Sequence, residues 1–231
     1  MKKKTVSEAF IASLPVMAGY VVLGIGFGVV LNTKGYGVLW SAAMSVFIFA
    51  GSLEYVAIDL LASHASLAAV AVTALMVNAR HLFYGISMID KYKNAGWRKP
   101  YLIFALTDET YSLVTADNDR IPPEEKHRYY FLVSLFDQCW WVSGSIIGSL
   151  LGMVIPFSTE GLDFVLTALF ITIVVDQWCK TKRHVPALIG IGASLLCLLI
   201  FGADSFLIPS MLLITALLFA VRGREEAHHE Q

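Results

Sequence analysis

The sequence predicts an all-α fold: a polytopic membrane bundle of seven or eight helical segments, with broken or re-entrant elements and a candidate internal two-fold repeat. Three observations predict it. The 231 residues are 57% hydrophobic and 15% charged, where a soluble domain carries about 25% charged residues. The apolar residues form continuous blocks of roughly the 20 residues a helix needs to cross hydrocarbon, not the short alternating runs of a barrel. Charged clusters stand inside those blocks: Glu54 with Asp59, Asn78-Ala79-Arg80-His81, and Thr107-Asp108-Glu109. An ionised side chain at a helix centre costs about 2.5–3.5 kcal/mol on insertion scales, so a fold that keeps several must pair, hydrate or use them. This is the pattern of a transporter interior, not of a passive anchor.

The segments follow in order. Met1-Lys2-Lys3-Lys4 precedes segment one, about 8–31, which holds Pro15 and Gly19, Gly24, Gly26 and Gly28. Those glycines permit close helix contact or local unwinding. The basic start followed by a long apolar block reads as a retained first helix with a cytoplasmic N-terminus. Segment two, about 38–62, carries Phe49-Ala50-Gly51-Ser52-Leu53-Glu54-Tyr55 and Asp59; segment three, about 66–88, carries the Asn/Arg/His cluster. A basic loop follows, with Lys91, Lys93, Arg98 and Lys99. Segment four, about 100–116, is short and centred on Asp108 and Glu109, as a tilted span or a re-entrant element. The polar stretch 117–128, with Pro122-Pro123, is the clearest internal boundary. Segment five, about 129–154, carries Asp137, Trp140 and Trp141, and Pro156 ends it; segment six, about 162–179, carries Asp176-Gln177. Segments seven (about 185–202) and eight (about 205–221) are the least polar. Residues 1–222 form one transporter domain and 223–231 a charged cytoplasmic tail.

Basic residues at the N-terminus, in 117–128, in 180–183 and in the tail fit eight spans with both ends inside. The 90–99 loop is the exception, and a re-entrant early segment removes the conflict. Residues 44–56 align with 166–178, placing Glu54 on Asp176, and 23–28 aligns with 143–148, placing Gly24 on Gly144 and Gly28 on Gly148. The repeat halves would be 8–116 and 129–221, with the site between them.

Several classes are excluded or disfavoured. The net charge is −1 and no basic patch carries interleaved aromatics, so nucleic acid is not a partner. Cys139, Cys179 and Cys197 lack CxxC spacing and read as small core residues. No HExxH-like spacing exists, so neither a metal nor another cofactor is expected. Ser52 has no evident base partner and Asp108 no matching second aspartate motif, which argues against an intramembrane enzyme.

The candidate binding residues are Ser52, Glu54, Asn78, Arg80, His81, Asp108 and Tyr111, with Glu54, Asp108 and Glu109 as proton-coupling candidates. Asn78 and His81, three apart, share a helix face. Arg80 lies about 200° round from Asn78, so one face serves both only if the helix breaks or is surrounded by protein. Its fork of donors suits a substrate carboxylate, Glu54, Asp108 or Glu109. Thr107 and Tyr111 give one hydroxyl face of segment four, and Asp108 and Ser112 the next. Amides freed near Pro15 are a second candidate for a carboxylate. Trp97, Tyr101, Trp140 and Trp141 read as interfacial aromatic belts.

Pro15 with its glycines, Phe49-Ala50-Gly51-Ser52-Leu53-Glu54-Tyr55, Asn78-Ala79-Arg80-His81-Leu82-Phe83-Tyr84-Gly85, Thr107-Asp108-Glu109-Thr110-Tyr111 and Leu162-Asp163-Phe164 resemble, in order and spacing, the AzlC-type branched-chain amino acid permeases. The resemblance implies export of branched-chain amino acids and of analogues such as azaleucine. It also implies a small hydrophobic partner subunit of the AzlD type and the cytoplasmic membrane of a prokaryote. The residues and this resemblance together predict a secondary exporter driven by proton antiport. Arg80 or the segment-one amides would take the substrate carboxylate, and Glu54 or Asp108 its ammonium. Phe47, Phe49, Leu75 and Phe136 would line the apolar pocket. A channel or a carrier for another small solute is the alternative.

Overall fold

The computed structural model describes residues 2–116, 120–154, 171, 174–175, 178–179, 184–202 and 206–229, and the described residues are helices and connecting turns without a strand. The sequence-predicted segment six, the Asp176 repeat position and the Leu162-Asp163-Phe164 motif therefore lie outside the described residues, apart from isolated positions of segment six. The chain divides into two compact units, 1–166 and 167–231. Among the described residues of the first are eight α-helices, α1 Lys2–Thr33, α2 Val38–Phe47, α3 Gly51–Ala62, α4 Leu67–Val77, α5 Ala79–Met88, α6 Lys99–Phe104, α7 Asp108–Thr115 and α8 Lys126–Val154, with short 3-10 turns at Gly96–Arg98 and Pro123–Glu125.

Two long helices, α1 and α8, form the spine of this unit. α1 continues unbroken through Pro15 and the glycine run, so the expected unwinding of segment one does not occur and its amides stay in the helix. The glycines serve packing instead. A Cβ on Gly24 would stand 2.9 Å from Ser145 N, and one on Gly144 would stand 2.7 Å from Val21 O; Gly28 and Gly148 repeat the close approach one turn on. Small residues four apart on both helices let two backbones meet. The helices run parallel: Phe10 packs on Phe136, Trp140 donates to Ser13, Gly24 meets Ser145, and Gly152 meets Asn32.

The helices between them fold back as hairpins. Segment two is two helices broken at Ile48-Phe49-Ala50 rather than one span, with Phe49 at a φ of 44°. Ser41 Oγ donates to Ser145 O and Gln138 Nε2 donates to Val46 O, so α2 descends antiparallel to α8. α3 then climbs back along α1: Tyr55 Oη donates to Leu23 O, and Tyr36 Oη, beside the start of α2, donates to Leu61 O near the end of α3. The hairpin enters and leaves at the C-terminal ends of α1 and α8.

Segment four is the mirror case. α6 rises from the opposite end, where Trp97 and Tyr101 pack on Phe131. The chain turns at Ala105-Leu106-Thr107, and α7 returns to pack Val114 in one cluster with Ala9, Met88, Tyr92 and Tyr129. The tips of the two hairpins meet: the Phe49 and Phe104 rings are 6.4 Å apart, and Tyr20 touches both, 6.4 Å from the Phe49 ring and 2.7 Å from Thr107 Oγ1. α4 and α5 together cross from one end to the other with a 48° bend at Asn78. That path puts the basic 90–99 loop beside the N-terminus of α1, since Tyr92 and Ala95 share a cluster with Ala9. With α2 and α3 folded back, this loop and the N-terminus of α1 lie at the same end of the unit.

In the second unit, α9 (Val185–Phe201) and α10 (Leu207–His229) pack against each other. α10 runs on through charged residues as far as His229, within the stretch the sequence assigns to a charged tail. Cys197 is buried here as expected, but Cys139 and Cys179 are exposed in the chain taken alone.

Candidate functional site

Helix breaks gather at the meeting of the two tips. α3 begins at Gly51, α5 at Ala79 and α7 at Asp108, each directly after a break. The first turns of these helices carry backbone N–H groups without intrahelical partners and the positive ends of helix dipoles.

Arg80 leaves the first turn of α5 and reaches the other two breaks. Its Nη1 lies 2.9 Å from Asp108 Oδ2, and its Nη2 donates to Ser52 Oγ at 2.9 Å. The pair is partly open, with side-chain exposure of 36% for Arg80 and 23% for Asp108. Asn78 Oδ1 and Arg80 Nε are buried without a hydrogen-bond partner. Ser52, Arg80 and Asp108 are thus brought together.

The break at Asn78 resolves the opposed faces. Asn78 and His81 line a cavity of about 400 Å³ with Leu75, Leu82, Met88 and Leu106, while Arg80 turns away to Ser52 and Asp108. His81 Nδ1 is 3.2 Å from Asn78 O. Of the expected apolar lining, Leu75 belongs to this cavity and Phe49 is buried at a tip. Phe47 is exposed on α2, and Phe136 packs on Phe10 away from it.

Glu54 stands apart from Arg80. It is fully buried and accepts three hydrogen bonds: Trp141 Nε1 at 2.9 Å, Ser45 Oγ at 3.2 Å and the Ala50 amide at 3.2 Å. Trp141 is therefore no belt residue; it is 3% exposed and ties α8 to the tip of the first hairpin. A buried carboxyl with three donors is satisfied in place.

Thr107 and Tyr111 do not share a surface. Thr107 caps α7, its side chain accepting from the Thr110 amide, and faces α1 through Tyr20. Tyr111 stacks on Tyr84 of α5, with ring centroids 4.6 Å apart, and accepts from Ser87 Oγ. Glu109 Oε2 accepts from Tyr20 Oη at 2.7 Å. Sequence reasoning missed Tyr20, Ser45, Thr110, Asp137 and Trp141. The signal was present on α8, where Asp137, Trp141, Gly144, Ser145 and Gly148 fall on one buried helical stripe.

Residues 15–155 match the family model described as AzlC protein. The chain belongs to the AzlC family. It is 44% identical to "Branched-chain amino acid transport protein AzlC" of Bacillus subtilis, over 93% of this chain and 84% of that one. It is 39% identical to an uncharacterized membrane protein of Helicobacter pylori, over 96% and 97% of the two chains. It is 29% identical to "Inner membrane protein YgaZ" of Escherichia coli, over 78% of each. No solved structure matches the chain. A prokaryotic membrane protein of a transport family is thus the frame in which the AzlC-family site is read.

Proposed function

We propose that this chain is the large subunit of a two-component secondary exporter of branched-chain amino acids in the inner membrane, driven by proton antiport. Valine, leucine and isoleucine are its cargo, with methionine and azaleucine as further substrates. An AzlD-type small membrane subunit is its partner. The printed name of the Bacillus relative supports the substrate class. The hairpins support a carrier: broken helices meeting at mid-depth are the usual build of sites in secondary transporters.

The distribution of charge supports the sidedness. Lys2, Lys3, Lys4, Lys91, Lys93, Arg98, Lys99, Arg120, Lys126 and Arg128 fall at the N-terminal end of the spine, and Lys34 at the other. Positive residues mark the cytoplasmic face. On that reading α2–α3 dips in from outside, α6–α7 from inside, and α4–α5 is the crossing between them. The matched glycines of α1 and α8 support a two-fold repeat with halves 8–116 and 129–221.

The observation that carries the proposal is the Arg80–Asp108 pair at 2.9 Å where the breaks converge. A zwitterionic amino acid offers the same two charges in the opposite sense. Its carboxylate takes the Arg80 fork and the helix N-termini, displacing Asp108. The released Asp108 carboxylate takes the ammonium. Asn78 and His81 lead to the mostly apolar cavity, which receives the branched side chain. The pair closes on itself when the site is empty, so neither charge is left unpaired at depth.

Efflux of labelled valine, leucine, isoleucine and methionine from cells tests this. Cells with the chain export; cells without it, or with Arg80→Ala or Asp108→Asn, retain the label. Normal export by both variants, correctly inserted, refutes the site.

A further inference from the structure

Five side chains outside the Arg80–Asp108 pair form a continuous chain of oxygen contacts across α1, α7 and α8. Glu109 Oε2 is 2.7 Å from Tyr20 Oη, which is 2.7 Å from Thr107 Oγ1. Thr107 Oγ1 is 3.0 Å from Thr110 Oγ1, which is 2.8 Å from Asp137 Oδ2. Each distance is that of a hydrogen bond. Tyr20, Thr107 and Thr110 are buried, Asp137 is fully buried, and Glu109 is half-buried on the side of the site.

The four contacts need four protons. A hydroxyl owns one, so Tyr20, Thr107 and Thr110 supply three. The fourth comes from a carboxyl at one end. With both carboxyls ionised, one contact becomes two oxygens facing each other without a proton. With both protonated, the chain holds one proton too many. We propose that Glu109 and Asp137 hold a single shared proton, relayed between them through Tyr20, Thr107 and Thr110.

The relay balances. When Glu109 carries the proton, it donates to Tyr20 Oη, Tyr20 to Thr107, Thr107 to Thr110, and Thr110 to the Asp137 carboxylate. A concerted shift breaks each O–H and forms the next. The proton leaves Glu109, three hydroxyls exchange theirs, and Asp137 Oδ2 gains one. Every hydrogen bond then points the other way, and Glu109 is ionised. Asp108, Arg80 and Tyr84 face Glu109, and Tyr101 faces Asp137. A change in the Arg80–Asp108 pair therefore alters the field at Glu109 and shifts the proton along the chain. Asp137 Oδ1, buried without a partner, is the open acceptor at the far end. In transport this relay would serve the antiport proposed above, and that role rests on that reading; the shared proton does not.

Infrared difference spectroscopy of the purified full chain in lipid tests the shared proton. The protonated-carboxyl band of the wild type, compared with the Glu109→Gln/Asp137→Asn double variant, loses the intensity of one carboxyl. Tyr20→Phe, which touches Glu109 but not Asp137, shifts the part of that band removed by Asp137→Asn. Size-exclusion profiles matching the wild type show that the variants fold. An unchanged band in the double variant overturns the proposal, and so does an Asp137 band indifferent to Tyr20→Phe. Proteoliposome flux separates the antiport reading: a wild type that ignores an imposed pH gradient removes antiport alone, since the infrared result does not depend on transport.

Discussion

The Trp141 indole N–H donates to Glu54 Oε1 at 2.9 Å, joining the middle of α8 to the first turn of α3. This bond, with those from Ser45 and the Ala50 amide, holds the tip of the first hairpin at the level where the second hairpin turns. Trp141 also packs edge-on to Tyr20 at 5.6 Å and against Phe27 at 6.1 Å. The tip is positioned by a buried polar contact inside an aromatic cage.

Trp141→Phe keeps most of the packing and removes one donor from a buried carboxyl. Leaving such a group short of a partner costs about 1–3 kcal/mol. The variant should melt earlier than the wild type in a thermal scan in detergent. Glu54→Gln, which keeps acceptor capacity, should melt closer to the wild type and still transport.

The α1–α8 seam makes a sharper contrast. Gly24→Ala and Gly144→Ala place a methyl against opposing backbone and should cost about 1–3 kcal/mol, as overpacking does. Gly19→Ala, with nothing within 4 Å of its Cβ, should be neutral or slightly stabilising. Melting temperatures of the three variants check this, and equal losses would contradict the seam.

Much of this was legible in the sequence, and the remainder has a physical cause. The all-α class followed from block length. The cluster around Arg80 and Asp108 followed from charge in hydrocarbon. The opposed faces of Asn78 and Arg80 allowed either a break or a helix enclosed by protein, and only the structure shows the break. The fold-back of α2 and α3 was not legible, because 38–62 has the length and apolarity of one span and Phe49 is not a residue that announces a positive φ. Trp141 was misassigned because a tryptophan at a segment start looks the same whether it meets lipid headgroups or a buried carboxylate. Asp137 was visible, but only the structure shows it facing Thr110 and not water.

Lys91 anchors the return of the second hairpin. Its Nζ donates to Val114 O at 3.2 Å and Thr115 O at 2.9 Å, the last carbonyls of α7. A cation at a helix C-terminus contributes about 1 kcal/mol. Lys91→Met should lower stability by that amount and speed proteolysis at the end of α7, measured against Lys93→Met as a control.

Arg80→Lys keeps the charge but loses the fork that reaches Ser52 and Asp108 together. A hydrogen bond to a charged group contributes about 1.5–3 kcal/mol, so the apparent KM for efflux should rise by roughly tenfold to a hundredfold. Maximal rate should change less. A lysine variant with unchanged KM would show that the guanidinium geometry is not used.

Binding of labelled leucine to the reconstituted wild type, beside Arg80→Ala and Asp108→Asn, tests the zwitterion site most directly. The wild type should bind saturably, with competition from valine and isoleucine. Both variants should lose binding while retaining the wild-type melting profile in the seam and tip. Leucine bound as tightly by both variants as by the wild type would contradict the site.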